Sequence, residues 1–153
     1  MPQRIHPSLT RLARSAVLTL LLVGANAFAG DIVVNIDGVQ AEGGLSLALV
    51  FADQAVWPQQ VLRELHHNAN GQATTTVRLR NLPPGRYAVQ LYQDSNGNGQ
   101  LDTSARGVPL EPVGFSANPS LVNGKPTPLK CLFEHGAGDT EVQIHLRSAK
   151  AGG

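Results

Sequence analysis

Residues 72–93, QATTTVRLRNLPPGRYAVQLYQ, consist of two runs of alternating polar and apolar side chains joined by a turn sequence. Val77 and Leu79 alternate with polar residues in the first run, and Val89 and Leu91 alternate in the second. This period of two is that of half-buried strands. In the connection, two prolines preset φ and a glycine tolerates positive φ, which suits a tight turn. The stretch therefore predicts two strands separated by a sharp turn.

The same alternation recurs along most of the chain, and one segment departs from it. It predicts further strands at 32–36, 45–51, 129–134 and 142–146. Residues 55–67 lack the alternation, and Pro58 suits the first turn of a short helix. A sheet with one apolar face must cover that face with another layer. We therefore predict an all-β chain, an antiparallel β-sandwich of six to seven strands, Ig-like or transthyretin-like, with one long irregular loop.

The beginning of the chain has the composition of a secretory leader. It carries three basic residues and no acidic one: Arg4, Arg11 and Arg14. An apolar run, 16–25, follows and is short for a bilayer span, and residues 27–29, AFA, have small side chains at a suitable cleavage site. The alternative is an uncleaved membrane anchor. We expect cleavage, which divides the chain into a signal peptide at 1–29, a β-sandwich domain at 30–147 and a disordered tail at 148–153.

Removal of the leader changes the charge balance of the protein. The full sequence has 12 basic and 11 acidic residues, so loss of three arginines leaves 9 against 11, a net charge near −2. The remaining basic residues are scattered, which argues against nucleic acid as a partner, and no membrane span is expected after cleavage. The one cysteine, Cys131, excludes an intrachain disulfide and is interpreted as a small buried hydrophobe or, alternatively, a reactive thiol.

Oxygen-bearing side chains follow the strand that ends near residue 93. Asp94, Asn96 and Asn98 occupy positions one, three and five of a calcium-type loop, and a glycine follows at position six. Gln100 could offer its backbone carbonyl at position seven, and Asp102 stands at position nine. Hard cations such as calcium prefer several oxygen ligands of this kind. The spacing therefore predicts a calcium-stabilised loop.

The loop departs from the helix-loop-helix calcium motif. Position twelve, where a bidentate glutamate belongs, is Ala105, and the preceding element is a strand. If calcium binds, a further carboxylate must come from elsewhere, and Glu111 is the candidate. The alternative is a metal-free turn, since asparagine and glycine favour turns without any ligand. The sequence leaves both interpretations open.

Several short motifs of this chain resemble a bacterial family of secreted proteins, the domain-of-unknown-function family numbered 2141. The motifs are YAVQLYQD at 87–94, NGNGQLD at 96–102, GVPLE at 107–111 and GFS at 114–116. Ala117 departs from the pattern, since an asparagine would be usual beside the serine. The resemblance implies a secreted, small β-sandwich of the transthyretin-like or carboxypeptidase-regulatory-like kind. It implies no reaction, because the family has no established activity.

The functional prediction is correspondingly general. No nucleophile elbow, zinc motif or phosphate loop is present in the sequence, so no catalytic residue is assigned. We expect an exported, periplasmic or secreted module with a binding or structural role, with a glycan or an envelope protein as possible partner. The alternative is a hydrolase that uses the carboxylates of the 94–111 loop.

Overall fold

The computed structural model describes residues 29–53, 57, 61–68 and 70–148. Within them the protein forms eight strands and one short 3-10 helix. The strands are β1 (Gly30–Asp37), β2 (Gly44–Phe51), β3 (Arg63–Asn68), β4 (Thr74–Leu82), β5 (Gly85–Asp94), β6 (Val113–Phe115), β7 (Phe133–His135) and β8 (Thr140–His145), and the 3-10 helix is Pro128–Cys131. In this part of the protein no helix is long and apolar enough to cross a membrane.

The strands form two sheets. The smaller sheet has the order β4-β1-β8, and the larger has the order β3-β2-β5-β6, with β7 also paired to β5. All pairs between neighbouring strands are antiparallel except β1 with β8, which run parallel from the Ile32–Thr140 pair to the Asp37–His145 pair. The prediction of an all-β sandwich is confirmed, with eight strands in place of six to seven.

The main core lies between the two sheets and follows the alternation of the sequence. Each strand contributes every second residue, which places one face of the strand inward. The buried side chains from β1, β2, β5 and β8 are Ile32, Val34, Ile36, Leu45, Leu47, Leu49, Tyr87, Val89, Leu91, Val142 and Ile144. Burial of this apolar surface is the main favourable term in folding.

A second apolar cluster covers the opposite face of the larger sheet. Val50 and Ala88 point away from the main core, and they pack with Phe115 and Cys131, which come from the long segment after β5. Trp57 packs against this cluster with its ring centroid 5.8 Å from that of Phe115, and its indole Nε1 donates to the carbonyl of Pro126 at 2.7 Å. The predicted burial of Cys131 is confirmed, because its thiol is fully buried and unpaired.

Three predictions of local structure are wrong. The predicted helix at 55–67 is strand β3 over its described end, because Leu65 pairs with Leu47 of β2 and faces the core; residues 54–56 and 58–60 lie outside the described residues. The predicted strand at 129–134 begins as a 3-10 helix, with Pro128 in its first turn. Residues 94–126, predicted to contain no strand, include β6.

The predicted signal peptide and C-terminal tail lie outside the described residues, apart from Ala29 and Ser148.

Asn118 joins the edges of the two sheets. Its Oδ1 accepts from the backbone nitrogen of His145 at 2.8 Å, and its Nδ2 donates to the carbonyl of Gln143 at 2.8 Å. The amide thus mimics a neighbouring strand beside β8. Val113 of β6 adds two backbone hydrogen bonds with Arg147, at 2.9 and 3.0 Å. These contacts cover the edge of the sandwich at β6 and β8. At the other end of the larger sheet, β3 pairs only with β2 among the described strands.

Candidate cation-binding loop

The loop 94–111 begins where β5 ends, and the fold fixes its first residue. The backbone of Gly43 packs so tightly against the carbonyl of Asp94 that a Cβ atom at position 43 would clash with it. Gly43 also has a φ of 92°, in the left-handed region that glycine adopts at little cost. Two residues before Asp94, the hydroxyl of Tyr92 donates to the carbonyl of Gly99 at 3.2 Å. The loop is thus held over the end of β5.

The carboxylate of Asp94 is the centre around which the loop turns. Its Oδ1 accepts from the backbone nitrogens of Gly97, at 2.8 Å, and Asn98, at 3.1 Å. Its Oδ2 accepts from the nitrogen of Gly99 at 2.8 Å. Hydrogen bonds from backbone N–H groups to a carboxylate are charge-assisted, so this arrangement stabilises the tight turn in which Gly97 and Gly99 both have positive φ.

The side chains at positions three, five and nine of the loop converge. The Nδ2 atoms of Asn96 and Asn98 lie 2.6 and 3.0 Å from the same Oδ2 of Asp102. The two carboxamides and one carboxylate therefore meet at one point. A carboxamide has an oxygen and a nitrogen of similar size, and a half-turn about its terminal torsion exchanges them. The arrangement shown presents N–H donors to Asp102, and a half-turn would present oxygens to a cation at the expense of the hydrogen bonds that the two Oδ1 atoms accept.

The carbonyl oxygens of the two asparagine side chains also hold the backbone. Oδ1 of Asn96 accepts from the nitrogen of Asn98 at 3.1 Å, and Oδ1 of Asn98 accepts from the nitrogen of Gln100 at 2.8 Å. Each contact closes a turn in which a side-chain oxygen takes the place of a backbone carbonyl oxygen, and the two turns follow one another along the chain. Gln100 is thus joined to the loop through its nitrogen, and its role as a carbonyl ligand stays a prediction.

Glu111 closes the loop from its far end. It is buried, and its Oε1 accepts from the nitrogen of Ser95 at 2.7 Å. Its Oε2 accepts from the nitrogen of Asp102 at 3.1 Å. The single carboxylate therefore clamps the two ends of the 95–102 segment together. Each oxygen can accept a further contact. These two hydrogen bonds therefore neither test nor exclude the prediction that Glu111 is a metal ligand.

Among the residues described, no group of three or more His, Cys, Asp or Glu side chains is arranged to hold a metal ion. The predicted calcium ligands differ from such a group, because three of the six residues have amide side chains: Asn96, Asn98 and Gln100. The structure brings the side chains of Asn96, Asn98 and Asp102 together and places Asp94 and Glu111 as hydrogen-bond acceptors on the backbone around them.

The sequence of this loop and of the strands around it matches a known family. Residues 34–143, more than half of the sequence, match the bacterial family described as "Uncharacterized protein conserved in bacteria (DUF2141)". The chain belongs to this family. The match includes the whole 94–111 loop of this DUF2141 protein. No curated protein and no solved structure matches the sequence.

Two structural residues of this DUF2141 domain were missed by sequence reasoning. Gln93 is fully buried, and its carboxamide exchanges hydrogen bonds with the backbone of Gln40, at 2.8 and 2.9 Å. Ser116 is also fully buried, and its hydroxyl accepts from the nitrogen of Val89 at 2.9 Å. The burial of Gln93 could have been inferred from the sequence. It occupies the next inward position on the apolar face of β5, where a polar residue is unexpected.

A groove lies beside the loop in this DUF2141 domain. Its volume is about 760 Å³, and it opens between the end of β3, the beginning of β2 and the first residues of the loop. Its polar side chains come from Ser46, His66, His67, Asn68, Asn70 and Asp94. The groove is a concave surface next to the loop that could receive a ligand.

Proposed function

We propose that this protein is an exported, non-catalytic binding or structural module of the cell envelope whose 94–111 loop is stabilised by calcium. The observation that carries the proposal is the convergence of the Asn96, Asn98 and Asp102 side chains on one point, at the spacing of a calcium loop. Export is inferred from the leader-like composition of residues 1–29, and it places the loop where calcium is more abundant than in the cytoplasm.

The donor chemistry of the loop supports calcium. Two carboxylates, two carboxamide oxygens and a backbone carbonyl supply at least five oxygens, and calcium takes six to eight with water completing the set. Asp94 and Asp102 bring formal charge to the cluster, and Glu111 is the candidate for one further carboxylate. A site with so few charges fits weak binding, with a Kd of about 10⁻⁴–10⁻³ M, as in extracellular modules.

The environment of the carboxylates supports a non-catalytic role. An acid or base must reach a substrate proton, within about 3 Å. The oxygens of Asp94 accept three backbone N–H groups, and both oxygens of the buried Glu111 accept one each. These bonds give both carboxylates a role in holding the loop. The adjacent groove supports binding, with a glycan or an envelope protein as partner.

A calcium titration of thermal stability tests the proposal. The protein is expressed with its own leader and recovered from the periplasm, where the mature protein is expected to begin at Gly30. At calcium tenfold above Kd, the gain is about 1.4 kcal/mol, which raises Tm by about 5 °C. Asp102→Asn should lose this response, because the amide keeps the shape of the carboxylate but brings no charge to the cation.

The matched control removes one negative charge at a position outside the loop. Glu141 is exposed on β8, and Glu141→Gln should respond to calcium like the unchanged protein. The same Tm with and without millimolar calcium would contradict the metal. An equal calcium response in Asp102→Asn would place the binding elsewhere, and a protein retained in the cytoplasm with residues 1–29 attached would contradict export.

A further inference from the structure

The calcium-type loop contains two Asn-Gly pairs, Asn96-Gly97 and Asn98-Gly99, and two further pairs occur at Asn70-Gly71 and Asn123-Gly124. Asparagine before glycine is prone to spontaneous deamidation, because glycine has no Cβ to hinder attack by its own backbone nitrogen. The loop therefore combines a reactive sequence with an unusually dense hydrogen-bond network.

The reaction needs a particular local geometry. The nitrogen of the glycine loses its proton and bonds to Cγ of the asparagine, and the bond between Cγ and Nδ2 breaks to release ammonia. Solvent water then adds to one carbonyl of the resulting succinimide, and the ring opens to aspartate or isoaspartate. One water is consumed and one ammonia is released for each conversion.

The closed loop opposes this reaction at the nucleophile. The nitrogens of Gly97 and Gly99 each donate to the carboxylate of Asp94, at 2.8 Å. A negative charge beside an N–H group disfavours loss of its proton. The attacking atom is therefore kept protonated and directed at Asp94, away from the asparagine carboxamide.

The closed loop also opposes the reaction at the carboxamide. The Nδ2 atoms of Asn96 and Asn98 are held by Asp102, and their Oδ1 atoms accept from the backbone nitrogens of Asn98 and Gln100. Each carboxamide is thus bound at both ends to groups other than its own neighbouring glycine nitrogen. Attack on Cγ requires these bonds to break.

We propose that Asn96 and Asn98 are conditional modification sites, which the Asp94–Asp102 network protects while the loop is closed and which convert to aspartate or isoaspartate when it opens. Conversion to aspartate adds a side-chain carboxylate at position three or five, where a calcium loop uses one. The proposal goes beyond the proposed function and needs no cation, because all of the protecting contacts are within the protein.

Asn123 provides an internal reference for the rate. The nitrogen of Gly124 donates to the neutral carbonyl of Leu121 at 3.0 Å, and the exposed Asn123 carboxamide makes no hydrogen bond to any described residue. Neither form of protection found in the loop is therefore present at this pair. A reference within the same molecule removes differences of buffer, temperature and time.

Peptide mapping by mass spectrometry during incubation in calcium-free buffer tests the proposal. In the folded protein, Asn96 and Asn98 should deamidate about tenfold more slowly than Asn123, which corresponds to about 1.4 kcal/mol of loop opening. In denaturant the three sites should react at similar rates. Equal rates in the folded protein, or the same tenfold difference in denaturant, would overturn the proposal.

A variant separates the network from global folding. Asp94→Asn keeps the shape of the side group but removes the charge next to the two glycine nitrogens. It should speed deamidation at Asn96 and Asn98 several-fold and leave the rate at Asn123 unchanged, while a cooperative urea transition reports that the rest of the domain is folded. Unchanged rates at all three sites would contradict the role of Asp94, whatever the result of the calcium titration.

Discussion

Ala117 is an L-residue in a conformation that favours glycine or asparagine. Its φ is 61°, and it is the third residue of a turn closed by the hydrogen bond from the nitrogen of Asn118 to the carbonyl of Phe115 at 3.1 Å. A left-handed backbone brings Cβ close to the following carbonyl, at a cost of about 1–2 kcal/mol. Ala117 is exposed, so its methyl group adds little packing in return.

Ala117→Gly should therefore raise the free energy of unfolding by about 0.5–1 kcal/mol, since relief of the backbone outweighs the extra entropy of glycine in the unfolded state. Urea unfolding measures the change. Ala137→Gly is the matched control, because Ala137 is also exposed but lies outside the left-handed region. The control should lose stability by about 0.5 kcal/mol. A loss in both variants would show that the turn bears no strain.

Burial of single apolar residues could be predicted at this scale, and the partners of buried polar residues could not. Cys131 was expected to be buried and is. Ser116 is equally buried, but its hydroxyl bonds to Val89, 27 residues earlier in the sequence. A pattern of neighbouring residues contains no information about a contact at that separation. For the same reason the clamp from Glu111 to Ser95 could not be derived from spacing alone.

The loop 94–111 owes its closure to Glu111. Both oxygens of this buried carboxylate accept backbone N–H groups, from Ser95 and Asp102. In Glu111→Gln one oxygen becomes an NH₂ group that faces an N–H donor, so one backbone donor loses its acceptor. An unsatisfied buried donor costs about 1–3 kcal/mol. We therefore expect local opening of the loop at a small cost to the whole fold.

Amide hydrogen exchange measures this opening. In Glu111→Gln the amides of Ser95 and Asp102 should exchange at least about tenfold faster, as a loss of about 1.4 kcal/mol in local stability implies. Glu134→Gln on β7 is the control, because that carboxylate is exposed and far along the sequence from the loop. Unchanged exchange at both loop amides would show that the clamp does not determine closure.

Elements with strong alternation were predictable, and those that depend on a neighbour were not. β1, β2, β4, β5 and β8 follow the apolar period of the sequence. β3 carries charged and histidine residues on both sides of Leu65, so its strand conformation is imposed by pairing with β2. β6 has three residues and exists through its pairing with β5. Tertiary contacts override weak local preference in both cases.

At the scale of the whole molecule, the sandwich could be predicted but its connectivity could not. One-sided strands require two layers, which is a consequence of composition. The placement of the C-terminal strand β8 parallel to the N-terminal strand β1 depends on residues more than 100 positions apart. Antiparallel neighbours were the economical expectation, and the parallel pair is the exception. It makes folding depend on contacts between distant parts of the sequence.

Two carboxylates reinforce this long-range arrangement. Asp31 of β1 accepts from the nitrogen of Asn81 at 3.0 Å and from Arg78 of β4 at 3.1 Å. Asp139, just before β8, accepts from the same Arg78 at 3.0 Å and from the nitrogen of Asp31 at 2.9 Å. The backbone hydrogen bond from Asn81 and then the Arg78 guanidinium lower the pKa of Asp31. The backbone N–H of Asp31 and then Arg78 lower the pKa of Asp139.

The sign of these shifts predicts how stability depends on pH. A carboxyl whose pKa is lower in the folded protein stabilises the fold above its unfolded pKa, and this contribution is lost as pH falls through the folded pKa. The double variant Asp31→Asn, Asp139→Asn should therefore be less stable than the unchanged protein at neutral pH, and the gap should close between about pH 5 and pH 2. Urea midpoints across this range measure it, with the double variant Glu134→Gln, Glu141→Gln as the control for net charge, because both of these carboxylates are exposed. A gap that stays constant with pH would mean that the two carboxylates act through shape alone, and that their charges do not hold β1, β4 and β8 together.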